Sequence, residues 1–206
     1  MQTKRAQEII IEIITGRRSV RKYKRQALDD TTIKILLETA CWAPSAHDAQ
    51  PWRFVPVREN NSKSRLANAM AKKYREDMES DGCSFDEMEA KIKLSLDRLT
   101  KAPLLVLACV SMEHMDIYPD IRRQRAEMDM AIQTIGAAIQ NLLLTAHSWG
   151  LGACWMCAPL FCPEIVGESL GLPKDFLPQA LITIGYPEAI PKASPRRNLE
   201  NIIIWR

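Results

Sequence analysis

Arg17-Arg18-Ser19-Val20-Arg21-Lys22-Tyr23 and, one helix-length later, Ala43-Pro44-Ser45-Ala46-His47-Asp48-Ala49-Gln50-Pro51-Trp52-Arg53-Phe54 form the stretch on which the fold turns. In an extended chain successive side chains point to opposite faces, so Arg17, Ser19 and Arg21 share one face while Val20 points the other way. Two guanidinium groups flanking a hydroxyl suit a phosphate dianion, because arginine forks bind phosphate oxygens in bidentate fashion and Ser19 adds one more donor. The competing interpretation of the run taken alone is a solvated charged strand. The segment after it is framed by two prolines and filled with small and polar residues, which argues against helix and gives sheet little to build on. It opens into Arg53-Phe54-Val55-Pro56-Val57, a short strand whose internal proline predicts a sheet edge or a bulge.

Between these two pieces, Ile33, Leu36, Leu37, Ala40 and Cys41 recur at helical spacing as one buried stripe, with Asp30 as the expected N-cap. Upstream, residues 5 to 15 carry an amphipathic helix that Gly16 stops just before the arginine run. Downstream, residues 62 to 100 predict a pair of polar helices broken at Asp81-Gly82, either a cover over a site or a plain surface hairpin of helices. Leu104-Leu105-Val106-Leu107-Ala108-Cys109-Val110 is a continuous apolar run, the mark of a strand buried on both faces. Residues 122 to 149 read as the longest helix, with Met128, Ile132, Ile135, Ile139, Leu142 and Leu143 along one stripe and Gly136, Ala137 and Ala138 permitting close approach. Asn141 and His147 on it are expected to bond within the core or near its end. A strand follows at 151 to 156, a turn at 158 to 163, a short helix at 164 to 170 and a strand at 179 to 187. The tail passes Lys192, Arg196 and Arg197 and ends in the strand-forming Ile202-Ile203-Ile204-Trp205, which either adds to another subunit's sheet or makes a fifth strand of its own.

Size and composition bound what this arrangement can do. A chain of 206 residues suits a single domain over residues 1 to 206, burying roughly 70% of its unfolded surface. A formal charge of +3 with 47% hydrophobic and 26% charged residues is too mild for a nucleic-acid binder and ordinary for a globular protein. Arg122-Arg123-Gln124-Arg125 and Lys72-Lys73 are separate patches without interleaved aromatics. No apolar run spans a membrane, and Glu12 interrupts the isoleucines of residues 9 to 14, so a cytoplasmic location is expected. Cys41 and Cys109 sit in apolar surroundings and are expected in the core. Cys154-Trp155-Met156-Cys157 lacks a second ligand pair for zinc and stands at a strand end, not the helix N-terminus a redox pair uses. His114, Asp116 and Asp120 are irregularly spaced beside Pro119 and are expected in a solvated loop, so no metal site is expected.

The run Arg17-Arg18-Ser19-Val20-Arg21, then a helix, then Ala43-Pro44-Ser45 closely followed by Gln50-Pro51-Trp52 and a strand, resembles the FMN-dependent nitroreductase family. The likeness continues through residues 136 to 147, Gly150-Leu151-Gly152-Ala153-Cys154-Trp155 and the Gly185-Tyr186-Pro187 strand end. Within the family, Leu66-Ala67-Asn68-Ala69-Met70 and Ala158-Pro159-Leu160-Phe161-Cys162-Pro163 look most like the reductase domain associated with deazaflavin coenzyme biosynthesis.

That resemblance implies an α+β fold, a central mostly antiparallel sheet flanked by helices, in an intertwined homodimer with FMN sites at the subunit interface. It implies that Arg17, Arg18, Ser19 and Arg21 hold the phosphate and ribityl chain, joined by Arg196 and Arg197. Pro44, Ser45 and Ala46 of the partner chain would lie against the isoalloxazine, with Asp48 and Gln50 near its polar edge and the backbone of Cys157, Ala158, Pro159 and Leu160 on its reactive side. Asp48 stands where many members have asparagine, and Ser194 where a lysine is frequent. The implied activity is flavin-borne hydride transfer from NAD(P)H to an electron-poor organic acceptor, without a catalytic side chain. The alternatives are reduction of a dehydro-deazaflavin precursor and a flavin-binding module without turnover.

Overall fold

The computed structural model describes residues 2–206. Among them, six α-helices and four strands run in the order α1 (Gln2–Gly16), α2 (Asp30–Ala40), β1 (Trp52–Val57), α3 (Asn60–Ser80), α4 (Phe85–Thr100), β2 (Leu104–Val110), α5 (Ile121–Ser148), β3 (Gly152–Met156), α6 (Pro163–Leu170) and β4 (Leu177–Gly185). The strands form one antiparallel sheet in the order β1-β2-β4-β3. Its centre is the apolar run, and all of β2 is buried. Pro56, which has no N–H to give to a ladder, sits in β1 at the sheet's edge, as its chemistry requires.

Alternation along β2 divides the interior in two. Leu104, Val106, Ala108 and Val110 face a cluster built with Leu36 of α2 and Ile135, Ile139 and Leu142 of α5. Leu105, Leu107 and Cys109 face the opposite cluster with Leu66, Ala67 and Met70 of α3 and Val166 of α6. Each large aliphatic side chain so buried contributes about 1.5–3 kcal/mol, so two-sided burial makes the strand pair β2·β4 the stable spine of the molecule. The helical excursion is therefore a layer of the fold: α3 covers the sheet, and α4 packs on α3 through Met78, Met88 and Ile92. The turn between them is made by Gly82 at φ 73°, a conformation that costs glycine nothing.

The basic run lies beside β3. Ser19 bridges Ala153 in parallel, the Val20 N–H donates to the Ala153 carbonyl at 3.0 Å, and Val20 is buried. Gly152 makes this approach possible, since a Cβ there would stand 2.6 Å from Val20 Cβ. At the end of the run the Tyr23 hydroxyl is buried against Thr183 Oγ1 at 2.7 Å, tying the segment to β4.

Several expectations are corrected. Asp29, not Asp30, caps α2, its carboxylate accepting from Thr32 N at 2.8 Å, and Asp30 pairs instead with Arg58. Cys41 is exposed at the C-cap of α2, one residue beyond the buried stripe. Ile132 is 41% exposed, because the apolar face of α5 is wider than the surface its own chain covers. The proline-framed loop holds one 3-10 turn at Ala46–Asp48. Ile202-Ile203-Ile204-Trp205 forms no strand in this chain's sheet; it follows a 3-10 turn at Leu199–Asn201 with Ile204 and Trp205 exposed. Strand propensity is a weak local prior, and it does not decide where the tail goes.

Candidate functional site

The C-terminal end of α1, the basic run and the returning tail enclose a groove of about 590 Å³ lined by Thr15, Arg17, Arg18, Ser19, Arg21, Gln140 of α5, Lys192, Ser194 and Arg196 among others. Its charged lining is entirely cationic, with residues from both ends of the polypeptide. Such a surface attracts a multiply charged anion and offers it several charge-assisted hydrogen bonds.

The lining arginines are held differently. Arg18 Nη1 donates to the carbonyls of Thr15 at 2.6 Å and Arg17 at 2.9 Å. It therefore neutralises the carbonyl-rich end of α1 and braces the groove wall. Arg21 Nη1 makes one long contact to the Ser19 carbonyl at 3.3 Å. Arg197 is absent from the lining while its neighbour Arg196 is present. Lys192, which the sequence placed only in a basic tail, supplies an ammonium group in the groove that holds Ser194. Gln140 gave no sequence signal, being one polar residue on a long helix. Behind the wall, a Cβ on Gly16 would stand 2.8 Å from His147 Nε2. Burial, followed by the charges of Arg17 and Arg18, lowers the His147 pKa from its ordinary value.

The segments expected to contact the ring lie outside this groove. In the proline-framed loop, Ser45 Oγ accepts from Gln50 N at 2.8 Å, Gln50 Nε2 donates to Asp48 Oδ1 at 3.2 Å, and Ala46 N donates to Thr134 Oγ1 of α5 at 3.4 Å. Asp48 thus helps to hold the exposed Gln50 side chain through its amide nitrogen. His47, Asp48 and Gln50 all adopt positive φ, at 55°, 51° and 47°, conformations costly for residues with a Cβ and held here by the loop's bonds. Pro44 is exposed and Ser45 and Ala46 half-buried. Beyond β3, Ala158–Phe161 form a 3-10 turn in which Cys157, Ala158 and Leu160 are exposed and Pro159 is buried. Cys154 is buried within β3 while Cys157 is exposed past its end.

The cationic groove fits the phosphate end of a flavin mononucleotide: several donors, no competing carboxylate, and an open side. An α+β sheet carrying such a groove at its edge is suited to hold a phosphate-bearing ligand. The profile of the nitroreductase family matches residues 14–186, and the chain belongs to that family. A Bacillus subtilis (strain 168) protein provisionally named NAD(P)H nitroreductase YfhC is 29% identical over 191 residues, covering 91% of this chain and 89% of its own. A BluB-like flavoprotein from Clostridium difficile 630 superimposes with a TM-score of 0.77 at 27% identity, covering 96% of this chain and 98% of its own. A provisionally named nitroreductase from Desulfovibrio desulfuricans, solved in complex with FMN, gives a TM-score of 0.72 at 25% identity over 96% of both chains.

Proposed function

We propose that this chain is an FMN-dependent NAD(P)H oxidoreductase that works as a homodimer and reduces electron-poor organic acceptors by a ping-pong scheme. The observation that carries the proposal is the groove in which Arg17, Ser19 and Arg21 from one end of the chain meet Lys192 and Arg196 from the other. Arg17, Arg21 and Arg196 would hold the phosphate, Ser19 would donate to it, and Arg18 would keep the wall in place through its bonds to α1. Bound there, FMN supplies the hydride-accepting and hydride-donating chemistry.

The protein's remaining work is orientation and polarity. Pro44, Ser45 and Ala46 of a second copy would offer a small surface for a planar ring, and Gln50, held by Asp48, would supply polarity at its edge. Asp48 stays an acceptor where asparagine would donate, which makes this edge more acceptor-rich. The turn at Cys157 to Leu160 offers backbone beside the ring without bulky side chains at Ala158 and Pro159. A second copy is supported by apolar side chains left exposed on one protomer, including Ile10 and Ile11 of α1, Trp42, and Ile204 and Trp205 of the tail. Were these side chains to cluster on one face, they would mark an interaction site. No helix among the described residues is long and apolar enough to cross a membrane.

Fluorescence titration of the FMN-free protein tests the phosphate clamp. Arg17→Ala and Arg196→Ala should each weaken FMN binding about 10- to 100-fold, the worth of a charge-assisted hydrogen bond. Wild-type affinity in both variants refutes the clamp. Anaerobic bleaching of the flavoprotein by NADH or NADPH, followed by reoxidation with a panel of nitroaromatics, quinones and a dehydro-deazaflavin, tests turnover and names the acceptor class.

A further inference from the structure

Outside the phosphate groove, three ligand-bearing side chains converge from separate parts of the chain. His47 comes from the 3-10 turn after α2, Asp116 from the loop between β2 and α5, and Glu127 from the second turn of α5. Their imidazole nitrogen and carboxylate oxygens lie within 4.8 Å of one another. Asp116 and His47 are exposed, whereas Glu127 is only 2% exposed and its Oε2 is buried without a hydrogen-bond partner. We propose that His47, Asp116 and Glu127 form a binding site for one divalent transition-metal ion.

The buried carboxylate is the decisive observation. Taking a carboxylate out of water is costly unless its oxygens are paired, and orphaned oxygens of this kind are rare in folded proteins. The basic side chain beside it is His47, whose Nε2 stands 3.5 Å from Glu127 Oε1. That is well beyond the ~2.7–2.9 Å of a charge-assisted bond, and it leaves Oε2 unserved. A dication between the three groups serves the Glu127 carboxylate, balances the two negative charges and uses the imidazole nitrogen as a neutral donor.

Ligand type narrows the ion. One imidazole with two carboxylates suits zinc, manganese or ferrous iron at about 2.0–2.2 Å, whereas magnesium and calcium prefer oxygen alone. Three protein ligands leave a position open to water, and the exposure of His47 and Asp116 gives the ion an entry path. The sequence hid the site because its ligands are dispersed along the chain; only the packing of the 43–50 loop on α5 brings them together.

The test uses the 206-residue chain, loaded with FMN and stripped of metal, titrated calorimetrically with Zn²⁺ alone and with Mn²⁺ alone. Binding of one equivalent per chain by at least one of them is expected. Asp116→Asn and Glu127→Gln should weaken that binding by about 100-fold or more, exceeding the typical cost of disturbing a ligand's hydrogen-bond partner. His114→Ala removes a neighbouring exposed imidazole outside the trio and should bind as wild type. Asp116 is on the surface, so Asp116→Asn carries the test even where Glu127→Gln fails to fold. No stoichiometric binding by the wild type, unchanged affinity in Asp116→Asn, or an equal loss in His114→Ala overturns the proposal. Because metal uptake is read directly, this outcome is independent of whether the flavin turns over.

Discussion

Replacing Gly152 by alanine places a Cβ 2.6 Å from Val20 Cβ and 2.7 and 2.8 Å from its two methyl carbons. Carbon atoms pack comfortably at about 3.5–4.0 Å, so β3 and the basic run must separate by roughly 1 Å. Val20 has nowhere to retreat: it is buried, and its N–H is bonded to Ala153 next to the substitution. Overpacking of this sort costs about 1–3 kcal/mol. For a chain of this size that lowers the melting temperature by about 2–12 °C. Arg17, Ser19 and Arg21 ride on the displaced segment, so FMN affinity should fall together with stability. Thermal melts with and without FMN, beside an FMN titration, measure both. Gly167→Ala in α6 is the control, since a Cβ added there meets nothing within 4 Å and alanine gains up to about 1 kcal/mol in a helix. If Gly152→Ala melts with the wild type and binds FMN equally well, the packing of the clamp on β3 has been misjudged.

Two further outcomes follow from groups around the same segment. Tyr23→Phe removes a buried hydroxyl that lies 2.7 Å from Thr183 Oγ1 and bonds the Val20 carbonyl; urea denaturation should show a loss of about 1–3 kcal/mol, and an unmoved midpoint would contradict the assignment. His147 has a folded pKa below its unfolded one, through burial and then Arg17 and Arg18, so its contribution to stability is lost as pH falls through about 6.5, where the unfolded chain takes up the proton first. A phosphate dianion in the groove offsets those two arginines and should raise the His147 pKa; NMR titration that finds it unmoved by FMN would place the anion elsewhere.

Much of this arrangement is legible from local pattern. The buried strand β2, the edge strand with Pro56, the α2 stripe at Ile33, Leu36 and Ala40 and the extended run with Val20 inward each follow from a period or a backbone restriction that a few neighbouring residues impose. Elsewhere local pattern misleads. Asp29 and Asp30 are equally good caps by type, and only backbone geometry selects the first. Cys41 extends the apolar period yet falls past the end of the helix. Ile132 fits the same apolar stripe as Ile135, yet it is exposed where Ile135 is buried. Arg197 sits beside Arg196 in sequence and outside the groove in space.

Hydrophobic period and proline restrictions act over a few residues, and so the amino-acid order suffices for the helices, for the four strands of the sheet and for the chemistry of the basic run, but not for the fate of the tail. Which distant groups meet is settled only in three dimensions: Lys192 and Arg196 return to Arg17 and Arg21, the isoleucine-rich tail stays out of its own sheet, and His47, Asp116 and Glu127 share one point. Those outcomes depend on sheet order and on how helices pack against it, and no local pattern encodes the distance between residues separated by most of the chain.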